Sequence, residues 1–317
     1  MDVLERIGLA GIVPQAVIER AEDAVPTAEA LRSGGADVMA LSFREGVTEA
    51  LAAIRQSCPE MLVGVCGVTT PEQCALAEEA GAAFVMMPGY RDDAAAWCVE
   101  HGLCLIPGCV TPSEIMAAMA RGLRVVSFFP AAVYGGLEAL RALSAAFPEV
   151  RFLPTGDMDQ ETLADHLAAP FVLAVASGRL CPEKAVAAHD TDAIAAACRA
   201  GRQAALGFEL AHVGINTEDG EQSLAVCQAL EEAFGFRTKK GNSSNFAGPA
   251  IEVMKSLYLG RNGHIAVRTN SIPRAIAELG KHGFLMDEGT TKSKNGKMTA
   301  IYLKDEIGGF AIHLLQK

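Results

Sequence analysis

Four side chains in the last third of the chain fall into register under one internal repeat. His212 opens the segment His-Val-Gly-Ile-Asn-Thr, and His264 opens the matching His-Ile-Ala-Val-Arg-Thr. Glu252 lies in Ala-Ile-Glu-Val, and His313 holds the same place in Ala-Ile-His-Leu. Alternate residues of a strand share a face, so a pseudo-twofold axis would gather His212, Glu252, His264 and His313. Three imidazoles and a carboxylate suit a divalent cation such as zinc, manganese, nickel or iron. Such an ion polarises a carbonyl or stabilises an enolate. The earlier part of the chain offers different chemistry. Its first 204 residues contain one lysine, Lys184, so a Schiff base there has a single source of primary amine. Arg44 offers a bidentate clamp for a carboxylate.

The elements that would position these groups differ between the two parts. Up to residue 204, short apolar runs alternate with Ala-, Glu- and Leu-rich stretches at helical spacing. The expected strands are 11–18, 38–43, 62–67, 84–89, 104–109, 124–131, 151–157 and 171–178. Near-continuous apolar strands with helical crossovers predict a parallel sheet covered on its outer face, and eight repeats predict a closed (β/α)8 barrel. Several of these strands end in Gly or Pro, at the rim where barrel sites form. Residues 205–317 instead read as strand, helix and further strands, twice. This predicts an α/β chain with a (β/α)8 barrel over residues 1–204 and an α+β domain over residues 205–317. The segment Thr290–Lys297, with Lys292, Lys294 and Lys297, reads as a polar loop, a solvated hairpin in preference to a mobile lid attracting an anionic acid.

Charge divides at the same place. Residues 1–204 carry 26 acidic and 14 basic side chains, the remainder 12 and 13. An acidic first part argues against nucleic acid and anionic membranes as partners. No apolar run reaches the roughly 18 residues of a membrane span. The start of the chain, with Asp2 and Glu5, has no signal-peptide pattern. Nine scattered cysteines with no CxxC pair suit a reducing compartment, so a cytoplasmic location is expected.

The segments GIVPQAVI, GGADVMALSFRE, FVMMPG, LIPGCVTPSE, VVSFFPAAVYGG, VRFLPTGDM and SGRLCP resemble the 2-keto-3-deoxy-6-phosphogluconate / 4-hydroxy-2-oxoglutarate aldolases, over about residues 8–200. The resemblance implies a homotrimer and a class I aldolase that releases pyruvate. It also places this chain's departures. Ser127 stands where the family has its Schiff-base lysine, and Ala40 where it has its general acid/base glutamate. Gly67 replaces a threonine. Gly156-Asp157 replaces a phosphate-binding Gly-Gly. Arg44, matching the family's carboxylate-binding arginine, and Thr155 are retained. Ser127 either simply fills the barrel or acts as a nucleophile, and no histidine is expected near it. Glu45 is expected either to pair with Arg44 or to be a solvated loop residue.

Residues 207–316, through HVGI, IEVM and GHIAVRT, resemble the vicinal oxygen chelate (glyoxalase / bleomycin-resistance) superfamily, built from two βαβββ modules. That resemblance implies metal-assisted chemistry on a substrate with two adjacent oxygens, with Glu252 as ligand and base. His313 departs from its usual glutamate. The expectation is a protein of sugar-acid or 2-oxoacid metabolism. Arg44, Thr155 and Ser127 would contact a small 2-oxoacid or sugar acid, and isomerase or lyase chemistry would fall to the second domain. Two alternatives stand beside it: lyase activity kept in the barrel without a Schiff base, and non-catalytic keto-acid binding.

Overall fold

The computed structural model describes residues 1–317, which form two compact units, Met1–Ala205 and Leu206–Lys317. The first alternates strands β1 (Ile12–Ala16), β2 (Val38–Ser42), β3 (Leu62–Cys66), β4 (Phe84–Met86), β5 (Cys104–Ile106), β6 (Val125–Phe128), β7 (Arg151–Pro154) and β8 (Val175–Ser177) with helices. The helices are α1 (Val3–Ala10), α2 (Ala24–Ser33), α3 (Val47–Ser57), α4 (Pro71–Glu79), α5 (Asp92–His101), α6 (Pro112–Ala120), α7 (Gly136–Ala146), α8 (Gln160–Ala168), α9 (Glu183–Ala187) and α10 (Thr191–Leu206).

The strands pair in parallel in the order β5-β4-β3-β2-β1-β8, with β6 and β7 forming a second ladder. Single parallel bridges, Gly108 to Ser127 and Thr155 to Ala176 among them, join the two ladders. The expected alternation is present, with strands shorter than the apolar runs suggested. The run ends turn into loops at the rim, as at Gly67, which takes φ +81°.

Both faces of these strands are buried, which explains their unbroken apolar character. All five residues of β3 are buried. Gly64 admits the Phe84 ring, because a Cβ there would stand 2.4 Å from Phe84 Cε2. Ala40 packs among Val13, Val38 and Leu62 in the inner core, beside Ile7 of α1. Helix starts are set locally. Thr111 accepts from the Glu114 amide while the Glu114 side chain returns to the Thr111 amide, and Pro112 begins α6.

The second unit contains β9 (Glu209–Ile215), α11 (Gly220–Phe234), β10 (Thr238–Lys240), β11 (Ser244–Ala247), β12 (Ile251–Met254), β13 (His264–Thr269), α12 (Ile272–Lys281), β14 (Met286–Lys294), β15 (Lys297–Leu303) and β16 (Ala311–Gln316). Two βαβββ halves thus follow each other. The eight strands lie in the order β10-β11-β12-β9-β13-β16-β15-β14, which reads the same from either end once one half is exchanged for the other. Alternation sorts the two faces. Val253 packs with Cys227 of α11, and Ile301 and Leu314 with Ile272 of α12. Their neighbours Glu252, Tyr302 and His313 therefore point to the opposite face. The polar segment expected as a solvated hairpin is the end of a long one, with β14 and β15 paired from Met286–Leu303 to Lys294–Lys297. Asn295 and Gly296, both at positive φ, make its turn. No helix of the structure is long and apolar enough to cross a membrane.

Candidate functional sites

The first unit opens a cavity of 340 Å³ at the C-terminal ends of its strands, lined by Gln15, Ser42, Arg44, Cys66, Ser127 and Thr155 among others. The strand ends bring Arg44, Ser127 and Thr155 to this one cavity. Ser127 is buried, and its Oγ lies 2.8 Å from Thr155 Oγ1. Thr155 donates in turn to the Leu153 carbonyl at 3.0 Å. With its one proton committed there, Thr155 accepts from Ser127. Ser127 is thus a donor within the wall, with no histidine or carboxylate among its hydrogen-bond partners. Arg44 is half exposed, its ion pair is with Glu19 at 3.9 Å, and Glu45 is an exposed residue of the loop, the second of its two expected roles. Cys66 faces Ser42 at 3.8 Å, and burial pushes its thiol pKa up.

No lysine lines the cavity. Lys184, the single lysine of this unit, stands exposed in the first turn of α9. Asp157, after β7, forms a two-point ion pair with Arg179, one arm of it 2.8 Å from Nη2 to Oδ2. Gln15 was missed by sequence reasoning. It shares the cavity wall, and its signal was a lone amide in an otherwise apolar strand.

The second unit gathers the four residues of the internal repeat. Register explains how. His212, Ala266 and His313 form one row across β9, β13 and β16, and Glu252, Gly214 and His264 form another across β12, β9 and β13. Each row holds two large polar side chains with a small residue between them. His264 leans over Gly214, where a Cβ would lie 2.0 Å from its Cε1. Glu252 Oε2 lies 2.9 Å from His212 Nε2 and 3.2 Å from His264 Nε2. Ser244 donates to Glu252 Oε1 at 2.5 Å. Hydrogen bonds from His212, then His264, hold the Glu252 carboxyl well below the usual carboxylate range against the opposing effect of burial.

His313 stacks on Tyr302, with ring centroids 4.5 Å apart, and neither of its ring nitrogens has a hydrogen-bond partner. Burial and the neighbouring His264 and His212 push its pKa down to about 3. Nitrogens of the three imidazoles all lie within 4.8 Å of one another. Ser244 and Tyr302 escaped the sequence reading because each lies outside the repeated pairs. His282 caps α12, exposed, 3.7 Å from Glu278.

The family "Aldolase: KDPG and KHG aldolase" matches residues 3–197. The chain belongs to the KDPG and KHG aldolase family. It is 41% identical over 196 residues to the 2-dehydro-3-deoxy-phosphogluconate aldolase of Treponema pallidum, covering 62% of this chain and 92% of that one. It is 38% identical over 200 residues to the KHG/KDPG aldolase of Escherichia coli strain K12, covering 63% and 92%. The crystal structure of KDPG aldolase from Legionella pneumophila, with pyruvate captured as a covalent carbinolamine, has a TM-score of 0.61. It shares 33% identity and covers 63% of this chain and 98% of that one.

Membership corrects one expectation. The sequence reading supplied a divalent cofactor, zinc, manganese, nickel or iron. KDPG aldolases are Schiff-base enzymes that work without a metal. In those relatives the carbinolamine loses water to give a protonated imine, which draws electrons as a Lewis acid would, so no metal is required. The imidazoles of the second unit converge, but convergence alone does not make a resident ion.

Proposed function

We propose that this protein recognises a small 2-oxoacid or sugar acid of carbohydrate-acid metabolism at the rim cavity of its first unit, without forming a Schiff base. In this reading the eight strands act as a closed (β/α)8 barrel, assembled as a homotrimer. Arg44 clamps the substrate carboxylate, Thr155 and Ser127 line the carbonyl end, and the aldolase lysine is absent. The observation that carries it is the cavity wall itself, with Arg44 present and Ser127 in place of an amine. Ser127 cannot replace that amine, since its proton is committed to Thr155 and no base adjoins it.

Borohydride reduction in the presence of pyruvate should leave the chain's mass unchanged, while calorimetry should show pyruvate binding that Arg44→Ala weakens about 10- to 100-fold, the worth of a charged hydrogen-bonded pair. A reduced adduct within residues 1–205 would overturn the proposal.

A second reading rests on the second unit, which resembles a vicinal oxygen chelate domain in its paired βαβββ halves. The carboxylate shared by His212 and His264 favours proton-transfer chemistry on an oxygenated acid, isomerase or lyase in type, with Glu252 orienting the two imidazoles that carry the proton. Glu252→Gln should abolish turnover of such an acid while pyruvate binding at the rim persists. Turnover lost on dialysis against a chelator would overturn this metal-free form of it.

A further inference from the structure

The rim cavity does not end at Ser127 and Thr155. A second lobe of 530 Å³ adjoins it and shares Gln15 in its wall, with Asp157, Arg179 and Glu183 around it. The two lobes differ in charge. The first carries the Arg44 guanidinium. The second carries two carboxylates, Asp157 and Glu183, against one guanidinium, and Asp157 occupies that guanidinium at both ends of its fork. Both members of this ion pair are more than half exposed, at 56% and 72%, so it adds little to stability.

We infer that the second lobe receives the hydroxyl-bearing, unphosphorylated tail of an extended 2-oxoacid and that Asp157 excludes a terminal phosphate. The inference rests on the carboxylate-clamp reading of the first lobe and deepens it. A lobe larger than the one beside Arg44 leaves most of the cleft empty when the ligand has only three carbons. Carboxylates accept hydrogen bonds from hydroxyl groups. A phosphate in the same lobe would meet two negative charges, and the one cation able to greet it is already forked onto Asp157. At a few ångströms in a wet, screened cleft such a repulsion amounts to about tenfold in affinity.

Calorimetry on the full chain tests this with three probes: pyruvate, a six-carbon 2-oxo-3-deoxy sugar acid, and that acid's terminal phosphate ester. The expected order is the free acid about tenfold tighter than both pyruvate and the ester. Asp157→Asn, which frees Arg179, should raise the ratio of ester to acid affinity about tenfold, and Asp157→Ala should do the same. Pyruvate binding with an ester as tight as the acid, with an acid no tighter than pyruvate, or with a ratio unmoved by both variants overturns the inference and leaves the carboxylate clamp standing. Failure of all three probes to bind, pyruvate included, overturns both.

Discussion

Ser127 Oγ donates to Thr155 Oγ1 across 2.8 Å, joining β6 to the end of β7 inside the rim. The bond satisfies the Ser127 hydroxyl, which would otherwise be buried without a partner, while Thr155 keeps its own bond to the Leu153 carbonyl. Removing both members should cost less than the two single losses added together. Ser127→Ala leaves Thr155 with its bond to Leu153, and should lower stability by about 1 kcal/mol. Thr155→Val strands the Ser127 hydroxyl and should cost about 1–3 kcal/mol. The double variant should fall short of the sum, giving a coupling of about 1 kcal/mol in denaturant unfolding. Strict additivity would show the bond to be idle.

The same position offers a gain-of-function trial. Ser127→Lys places an amine on the wall of the 340 Å³ cavity, with Arg44 on the same wall. Burial disfavours the ammonium form, so a fraction of the lysine is a free nucleophile at neutral pH. Borohydride with pyruvate should then add one reduced pyruvate to the variant and none to the parent, read by intact mass and located by peptide mapping at residue 127.

In the second unit the tight point is Gly214. A methyl there meets the His264 ring at about van der Waals overlap, 2.0 Å from Cε1. Gly214→Ala should push His264 out of line with Glu252 and cost about 1–3 kcal/mol by overpacking. Thermal unfolding should show the loss. The imidazole proton resonances should show the displacement, with His264 moving and His282, exposed at the end of α12, unmoved.

Acidification should destabilise this unit through two groups acting in the same direction. His313 is held neutral, with a folded pKa of about 3 against 6.5 in the unfolded chain. Between those values the unfolded state binds a proton the folded state refuses, so stability rises with pH and falls as pH drops below about 6.5. Glu252 has a folded pKa below its usual 4.5, so its contribution is present above that value and is lost as pH falls further. Unfolding by urea at pH 7.5, 6 and 5 should show a decline of up to about 1.4 kcal/mol per pH unit per proton. In His313→Phe the slope between pH 6.5 and 5 should flatten. An equal slope in both proteins would remove His313 as its source.

Sequence reading reached some features of these sites more readily than others, for physical reasons. The convergence of His212, Glu252, His264 and His313 was legible because a duplicated strand order repeats its register, and register alone decides which side chains share a face. The parallel sheet of the first unit was legible in its unbroken apolar strands, such as Leu62–Cys66. Contacts made between distant loops were not. Arg44 chose Glu19 over its neighbour Glu45, and Asp157 chose Arg179, because loop geometry at the rim brings those partners together whatever their separation in sequence. The turn of the Lys292–Lys297 hairpin was legible in its polar residues, but the length of β14 was not, because on an exposed edge no apolar stripe marks a strand. The expected cation failed differently. A cluster of imidazoles records proximity, and proximity is equally consistent with a carboxylate shared by two rings and a third ring stacked on Tyr302.

The strand order of the second unit carries one more consequence. The boundary between its halves runs between β9 and β13, and the polar quartet straddles it, two residues from either side. Neither half can own the site, and expressing either alone would bare a long central edge to strangers. A permuted chain opened within residues 256–262 and rejoined elsewhere would keep every strand partner, so the quartet should survive a cut in the connection while vanishing when its two contributors are parted.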